Sequence, residues 1–167
     1  MKVIFLDIDG VLNSQQSCIY WNRRYKEGTH SVANGCMTLC PIACSNLQYV
    51  LEKLSDIKII LSSTWRLSDT WKEDLLNASM PQSILSKIID VTSKKFSSSR
   101  GEEIRMYLNE HSEVEDFVII DDVHWDMGEF RDDTRFVNTC ESHGLTWFEA
   151  VRILKYFGVK VPIGDVL

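Results

Sequence analysis

Three short, almost unbroken apolar runs constrain this chain more than any other feature. They are "VIFL" at Val3–Leu6, "IKIIL" at Ile57–Leu61 and "FVII" at Phe117–Ile120, and each stops at polar residues. A helix would interleave polar residues every third or fourth position, and a half-exposed strand would alternate. Runs like these suit strands buried on both faces, the kind that parallel sheets use under a cover of helices. The segments between them carry helical signals. Leu47, Val50, Leu51 and Leu54 share a face after Pro41, which predicts a helix over about 42–55. Thr70-x-x-Glu73 resembles a capping box for a helix through about Asn77. Ile104, Tyr107 and Leu108 mark a helix over Arg100–Glu110. Thr146-x-x-Glu149 opens a last helix carrying Phe148, Val151, Leu154 and Tyr156, which Gly158 ends. Ile88–Val91 and Arg135–Asn138 read as further strands. Strands alternating with helices predict an α/β, Rossmann-like fold. Its central sheet is mostly parallel and flanked by helices, and residues 1–167 form a single domain.

One stretch breaks the alternation. Residues from Asn13 to about 40 are polar and lack a clean period, which is too long for a bare connection in a compact domain. The expectation is a small cap-like insert over a site. Its Tyr20, Trp21, Arg23, Arg24 and Tyr25 mix aromatic and basic side chains. Such a mix packs on itself or, alternatively, stacks bases and grips backbone phosphate.

The net charge of -6 argues against a protein that coats duplex nucleic acid, although a small site gripping one phosphate remains compatible with it. No apolar run approaches the ~20 residues of a membrane span, and the start of the chain does not read as a signal peptide. The expected location is therefore intracellular, in the cytoplasm. Five cysteines, an odd number, make a disulfide framework unexpected. Cys36, Cys40 and Cys44 repeat every fourth residue, which invites a zinc site completed by Cys18 or His30. With no Cys-x2-Cys knuckle, and Pro41 inside the run, small thiols around a helix start are the preferred reading.

Ligands of parallel α/β sheets gather at the carboxyl ends of the strands. Here those ends carry Asp7 and Asp9, then Ser62, Ser63 and Thr64, then Asp121 and Asp122. Acids brought together from two strand ends repel one another, and magnesium, which favours oxygen ligands, relieves that repulsion. One carboxylate can then attack phosphorus while another moves protons. Gly10 permits a tight turn just after Asp9. Each group also has a plainer reading. Asp-Gly and paired Asp residues are common in turns, and Ser and Thr cap helices. Arg100 can be a solvated helix residue paired with Glu102 or Glu103. Asp126 and His124 read as exposed loop residues. Trp65 reads as core, while Arg66 either holds a second phosphate or closes a salt bridge beneath the site.

"DIDGVLN" resembles the first motif of the haloacid dehalogenase (HAD) superfamily of phosphotransferases. "IILSST", "RGEEI" and "FVIIDD" resemble the second, third and fourth motifs, in order. With the Pro-led helix, "LSSTWR" and a closing Thr-x4-Gly-Leu-Thr, the chain resembles more narrowly the HAD domains of the Swiss Army knife RNA repair group. The resemblance covers most of the chain except the insert. It implies that Asp7 is the nucleophile. Asp9 would be the general acid and base, its backbone carbonyl helping to bind Mg2+. Ser62 would bind the phosphate, with Ser63 and Thr64 as rivals and Gly10 beside them. Arg100 would stabilise the transferring phosphoryl group, with Lys94 or Lys95 as alternatives, and Asp121 and Asp122 would anchor the metal.

The resulting expectation is an HAD-like, magnesium-dependent phosphatase. It would work through an aspartyl-phosphate on a phosphorylated substrate, with an RNA or DNA end favoured. A nucleotide or sugar phosphatase of the same superfamily is the first alternative, and a catalytically silent binding module with the same fold is the second. No membrane partner and no extended duplex binding are expected, and a repair role would draw on partners in trans.

Overall fold

The apolar runs become the three central strands. The computed structural model describes residues 1–26, 38–93 and 99–161. Its elements follow in the order β1 (Lys2–Leu6), α1 (Gln15–Lys26), α2 (Pro41–Lys53), β2 (Lys58–Leu61), α3 (Trp71–Asn77), α4 (Gln82–Leu85), β3 (Ile88–Val91), α5 (Arg100–Glu110), β4 (Asp116–Asp121), β5 (Phe136–Asn138) and α6 (Trp147–Tyr156). The strands form one sheet in the order β3-β2-β1-β4-β5. Every pairing is parallel. The expected mostly parallel, Rossmann-like α/β sheet is therefore wholly parallel among the described residues.

Both faces of the strands are packed. Ile4, Leu6, Ile59, Leu61, Val118 and Ile120 belong to one core, together with residues of α2, α3, α4 and α6. Val3, Phe5, Ile60, Phe117 and Ile119 point the other way, against Ile104 and Tyr107 of α5 and against Met127 and Phe130. The alternation along each strand explains why the runs are uninterrupted, since every position meets a helix layer. Each fully buried Ile, Leu or Phe contributes roughly 1.5–3 kcal/mol through area removed from water.

The helix signals differ in outcome. α5 spans the expected residues and carries a capping box, in which Ser99 accepts from Glu102 N. Thr146 and Glu149 likewise form the box that opens α6. Thr70 does not cap α3 through its side chain, because its hydroxyl and that of Ser68 turn to the Asp74 carboxylate.

The insert needs revising. Its first half is a helix, α1, in a stretch without helical period. Its start is tied to the far end of the chain, where Gln15 N donates to Glu141 O at 3.0 Å. The Arg24 guanidinium lies 5.7 Å from the Tyr20 ring centroid, and Tyr20 meets Trp21 edge-on. These contacts fit the self-packing reading for that part. Residues 27–37, including His30 and Cys36, lie outside the described residues, so the zinc reading is not resolved there. Cys40, Cys44 and Cys140 are free thiols, and Cys18 is disulfide-bonded, which the odd cysteine count did not lead one to expect. Among the described residues no helix is long and apolar enough to cross a membrane.

Candidate active site

β1 lies between β2 and β4, and the chain leaves it first toward β2 and later returns on the other side to β4. This is the topological switch point at which such sheets bind ligands. In the register Leu6 stands opposite Ile120, so Asp7 emerges beside Asp121, and Asp7 N donates to Ile120 O at 3.0 Å. Alternation puts Asp7 on the side of Val3 and Phe5, and Asp121 on the side of Phe117 and Ile119. That is the face covered by α5. Arg100 opens α5 there. Its Nη1 lies 3.1 Å from Asp7 Oδ1 and 3.4 Å from Asp121 Oδ2. Asp126 Oδ2 accepts from Arg100 N at 3.0 Å and fixes the start of that helix, a role beyond the exposed-loop reading. Lys94 and Lys95, the alternatives to Arg100, fall outside the described residues.

Asp7, Asp121 and Asp122 each offer one carboxylate oxygen, and the three atoms lie within 4.8 Å of one another. Asp7 and Asp121 are buried, Asp122 partly so. Burial pushes the Asp7 carboxyl up, opposed by Arg100 and by the Ser63 hydroxyl. Burial, then the charge of Asp7, pushes Asp121 up to about 8. The same two causes push Asp122 up to about 6. Arg100 is shifted up: burial disfavours its charge, but Asp7 and Asp121 more than offset that. Asp121 Oδ2 is buried and accepts no hydrogen bond. Three crowded, desolvated carboxylates, one with a buried oxygen that has the Arg100 ion pair but no hydrogen bond, fit a hard oxygen-loving cation.

A pH dependence follows from the acids. The folded pKa values of Asp121 and Asp122 lie above the unfolded value of about 4, so protonation of these groups favours the folded state. Their contribution is full below about pH 4 and is lost as pH rises through about 6 and then 8. In chelator, thermal unfolding should show this contribution disappearing between about pH 4 and 8. Added Mg2+ should raise the melting temperature most at the upper end of that range. A magnesium effect that is largest at pH 5 would contradict the arrangement.

The remaining strand-end residues divide. Ser63 is buried, and like that of Ser62 its hydroxyl makes no hydrogen bond within the described residues, although it lies close enough to Asp7 to lower that carboxyl. The Ser62 hydroxyl is buried with no hydrogen-bond partner, and its backbone N donates to Leu6 O at 2.9 Å. Thr64 is exposed at the head of a 3-10 turn. Asp9 is exposed and stands outside the three-acid group. The chain turns tightly at Ile8, whose carbonyl accepts from Val11, Leu12 and Asn13 N. This turn carries Asp9 away from the line of the strand. Gly10 adopts φ +70°, and a Cβ there would lie 2.3 Å from the Asp122 carboxylate, so only glycine lets the two loops meet.

Three supports were hidden in the sequence. Arg66 closes a buried salt bridge, which decides between its two readings: Nη2 reaches Glu103 Oε2 at 2.6 Å. It also donates to the carbonyls of Ser62 and Ser63 at 3.0 and 2.8 Å and to Ser93 O. It therefore ties the exits of β2 and β3 to α5, one turn beyond Arg100. Thr139 Oγ1 donates to Gly10 O at 3.0 Å and Leu145 N to Val11 O at 2.8 Å, while a Cβ on Gly144 would come within 2.5 Å of Val11 O. The Thr-x4-Gly-Leu signature thus clasps the loop after β1 from behind. Finally, Asp9 accepts from Asn13 Nδ2 at 2.7 Å and from Trp65 Nε1 at 3.1 Å, so Trp65, partly buried against the core, also has a polar duty.

A parallel sheet with acids at the ends of β1 and β4, facing an arginine at the head of α5, defines a domain of the haloacid dehalogenase type. The family model described as the HAD domain in Swiss Army Knife RNA repair proteins matches residues 3–150, and the chain belongs to this family. No curated protein and no solved structure matches it.

Proposed function

We propose that the chain is a magnesium-dependent phosphomonoesterase that works through an aspartyl-phosphate on Asp7. The observation that carries this reading is the buried Asp7 carboxylate, 3.1 Å from Arg100 and grouped with Asp121 and Asp122. Asp7, Asp121 and Asp122, with the Asp9 carbonyl, would hold the magnesium ion. Once bound, it would neutralise the acids and offset charge on the phosphoryl oxygens. The Asp7 oxygen attacks phosphorus, and the bond to the leaving oxygen breaks. Arg100 stabilises the charge spread over the phosphoryl oxygens, and Ser63, whose buried hydroxyl has no other hydrogen bond, would donate to one of them. Asp9 gives its proton to the leaving oxygen. It then takes one from the water that attacks the aspartyl-phosphate, and Asp7 is returned as a carboxylate.

The substrate class we favour is a phosphorylated nucleic acid end, supported by the family to which the domain belongs. An address in the cytoplasm is part of the same proposal. The test is phosphate release from an aryl phosphate, a sugar phosphate, a nucleotide and phosphorylated RNA and DNA oligonucleotides, each with Mg2+ or with chelator. The expected result is metal-dependent release, fastest from the oligonucleotides. A small ester hydrolysed far better than any oligonucleotide would replace the substrate class with a metabolite. No release from any substrate would leave a silent binding module.

A further inference from the structure

Asp9 is exposed and sits on a loop, yet both of its carboxylate oxygens are occupied by side chains. Asn13 Nδ2 donates to Oδ1 at 2.7 Å and Trp65 Nε1 to Oδ2 at 3.1 Å. An exposed carboxylate in water needs no such partners. Two of them, arriving from different parts of the chain, fix both ends of the group and so fix its plane. Asn13 belongs to the loop itself, and its own Oδ1 accepts from Gly10 N at 3.1 Å. Trp65 comes from the turn after β2, 56 residues away in sequence. That turn is anchored from within, because Arg66, the next residue, binds the carbonyls of Ser62 and Ser63. Each carboxylate oxygen has two acceptor positions, and each neighbour uses one. A position remains on either oxygen for a transferable proton.

We propose that Trp65 is a positioning residue for proton transfer by Asp9, with Asn13 as its counterpart. The indole N–H holds the carboxyl group in the orientation from which it protonates the leaving oxygen. This rests on the reading of Asp9 as general acid and base given above. Orientation matters most where the proton is most needed. An alkoxide is a poor leaving group and must be protonated as its bond to phosphorus breaks. A nitrophenolate leaves with little help. Loss of the indole donor should therefore slow phosphoryl transfer from alkyl esters more than from activated aryl esters.

The experiment compares wild type, Trp65→Phe and Asp9→Asn on an alkyl phosphate and on nitrophenyl phosphate, with Mg2+ present. Phenylalanine keeps an aromatic ring against the core and removes the donor, together with the smaller ring of the indole that carries it. For Trp65→Phe, kcat/KM on the alkyl ester should fall roughly 10-fold or more, as for a lost hydrogen bond to a charged group. The aryl ester should fall much less, and KM should stay near the wild-type value. Asp9→Asn should show the same contrast, larger. Asn13→Ala, which removes the other donor together with the acceptor for Gly10 N, should repeat the pattern and serves if the tryptophan variant fails to fold. If Asp9→Asn shows the contrast and neither donor variant does, the positioning role is wrong and the role of Asp9 stands. If both esters fall equally in the donor variants, Trp65 is structural only. If Asp9→Asn shows no contrast, the reading of Asp9 itself fails and the positioning role falls with it.

Discussion

Asp7→Asn should lower phosphate release by about 10^4-fold or more while leaving the protein at least as stable. The first half follows from the chemistry. An amide cannot form the aspartyl-phosphate, and removal of a covalent nucleophile costs on this order even when the rest of a site survives. The second half follows from burial. The Asp7 carboxylate is desolvated and crowded by Asp121, whose own carboxyl it helps to push up. Asparagine has nearly the same shape and no charge to desolvate, and Arg100 keeps Asp121 at 3.4 Å as a partner. Melting temperatures measured in chelator beside the kinetics would separate the two effects. Lost turnover with an unchanged or raised melting temperature is the expected pair. Lost turnover with a large fall in melting temperature would mean that Asp7 holds the fold together rather than doing chemistry.

Glu103→Ala should be the most damaging single truncation away from the acids. The Arg66 and Glu103 side chains are 4% and 6% exposed, so the variant leaves a guanidinium buried without its carboxylate. Breaking such a pair from one side costs about 3–5 kcal/mol. For a chain of this size that corresponds to a fall of roughly 6–20 °C in melting temperature. Glu103→Gln keeps an acceptor for Arg66 and should cost less. Replacing Arg66 and Glu103 together by apolar residues should also be milder than Glu103→Ala, because no charge is then stranded. Turnover should fall as well, since Arg66 would loosen its hold on the Ser62 and Ser63 carbonyls behind Asp7. A Glu103→Ala variant within about 1 kcal/mol of wild type would show that the Arg66 hydrogen bonds to carbonyls suffice alone.

How much could be read from the sequence depended on how local each signal is. β1, β2 and β4 were legible because burial on both faces forces an unbroken apolar run. α5 was legible because its apolar face and its Ser99–Glu102 box lie within one short segment. α1 was not, because its inward-facing positions, Ser17, Cys18, Trp21 and Arg24, are not an apolar stripe, and its start is fastened to residues over a hundred positions away. The Thr70 box failed because a nearby carboxylate, Asp74, competes for the same hydroxyl. In the site, the grouping of Asp7, Asp121 and Asp122 with Arg100 was legible because strand ends and a helix start are sequence features. Which serine stands by Asp7, the path of Asp9 after the turn, and the partners of Arg66 and Asp9 depend on register and on contacts between distant segments. Periodicity does not report these.

The clasp on the loop after β1 has a consequence for the order in which this protein becomes competent. Thr139 lies 129 positions after Gly10, and Leu145 follows it, so the residues that hold this loop come from a distant segment of the sequence. The carboxylates that share the candidate metal group are separated by most of the chain. Closing so distant a contact is slow compared with forming any one helix. A chain in which that distant segment has not docked would carry Asp7 without the residues that hold its loop. The loop that carries Asp7 and Gly10 is therefore complete only once β5 and the turn beyond it have docked.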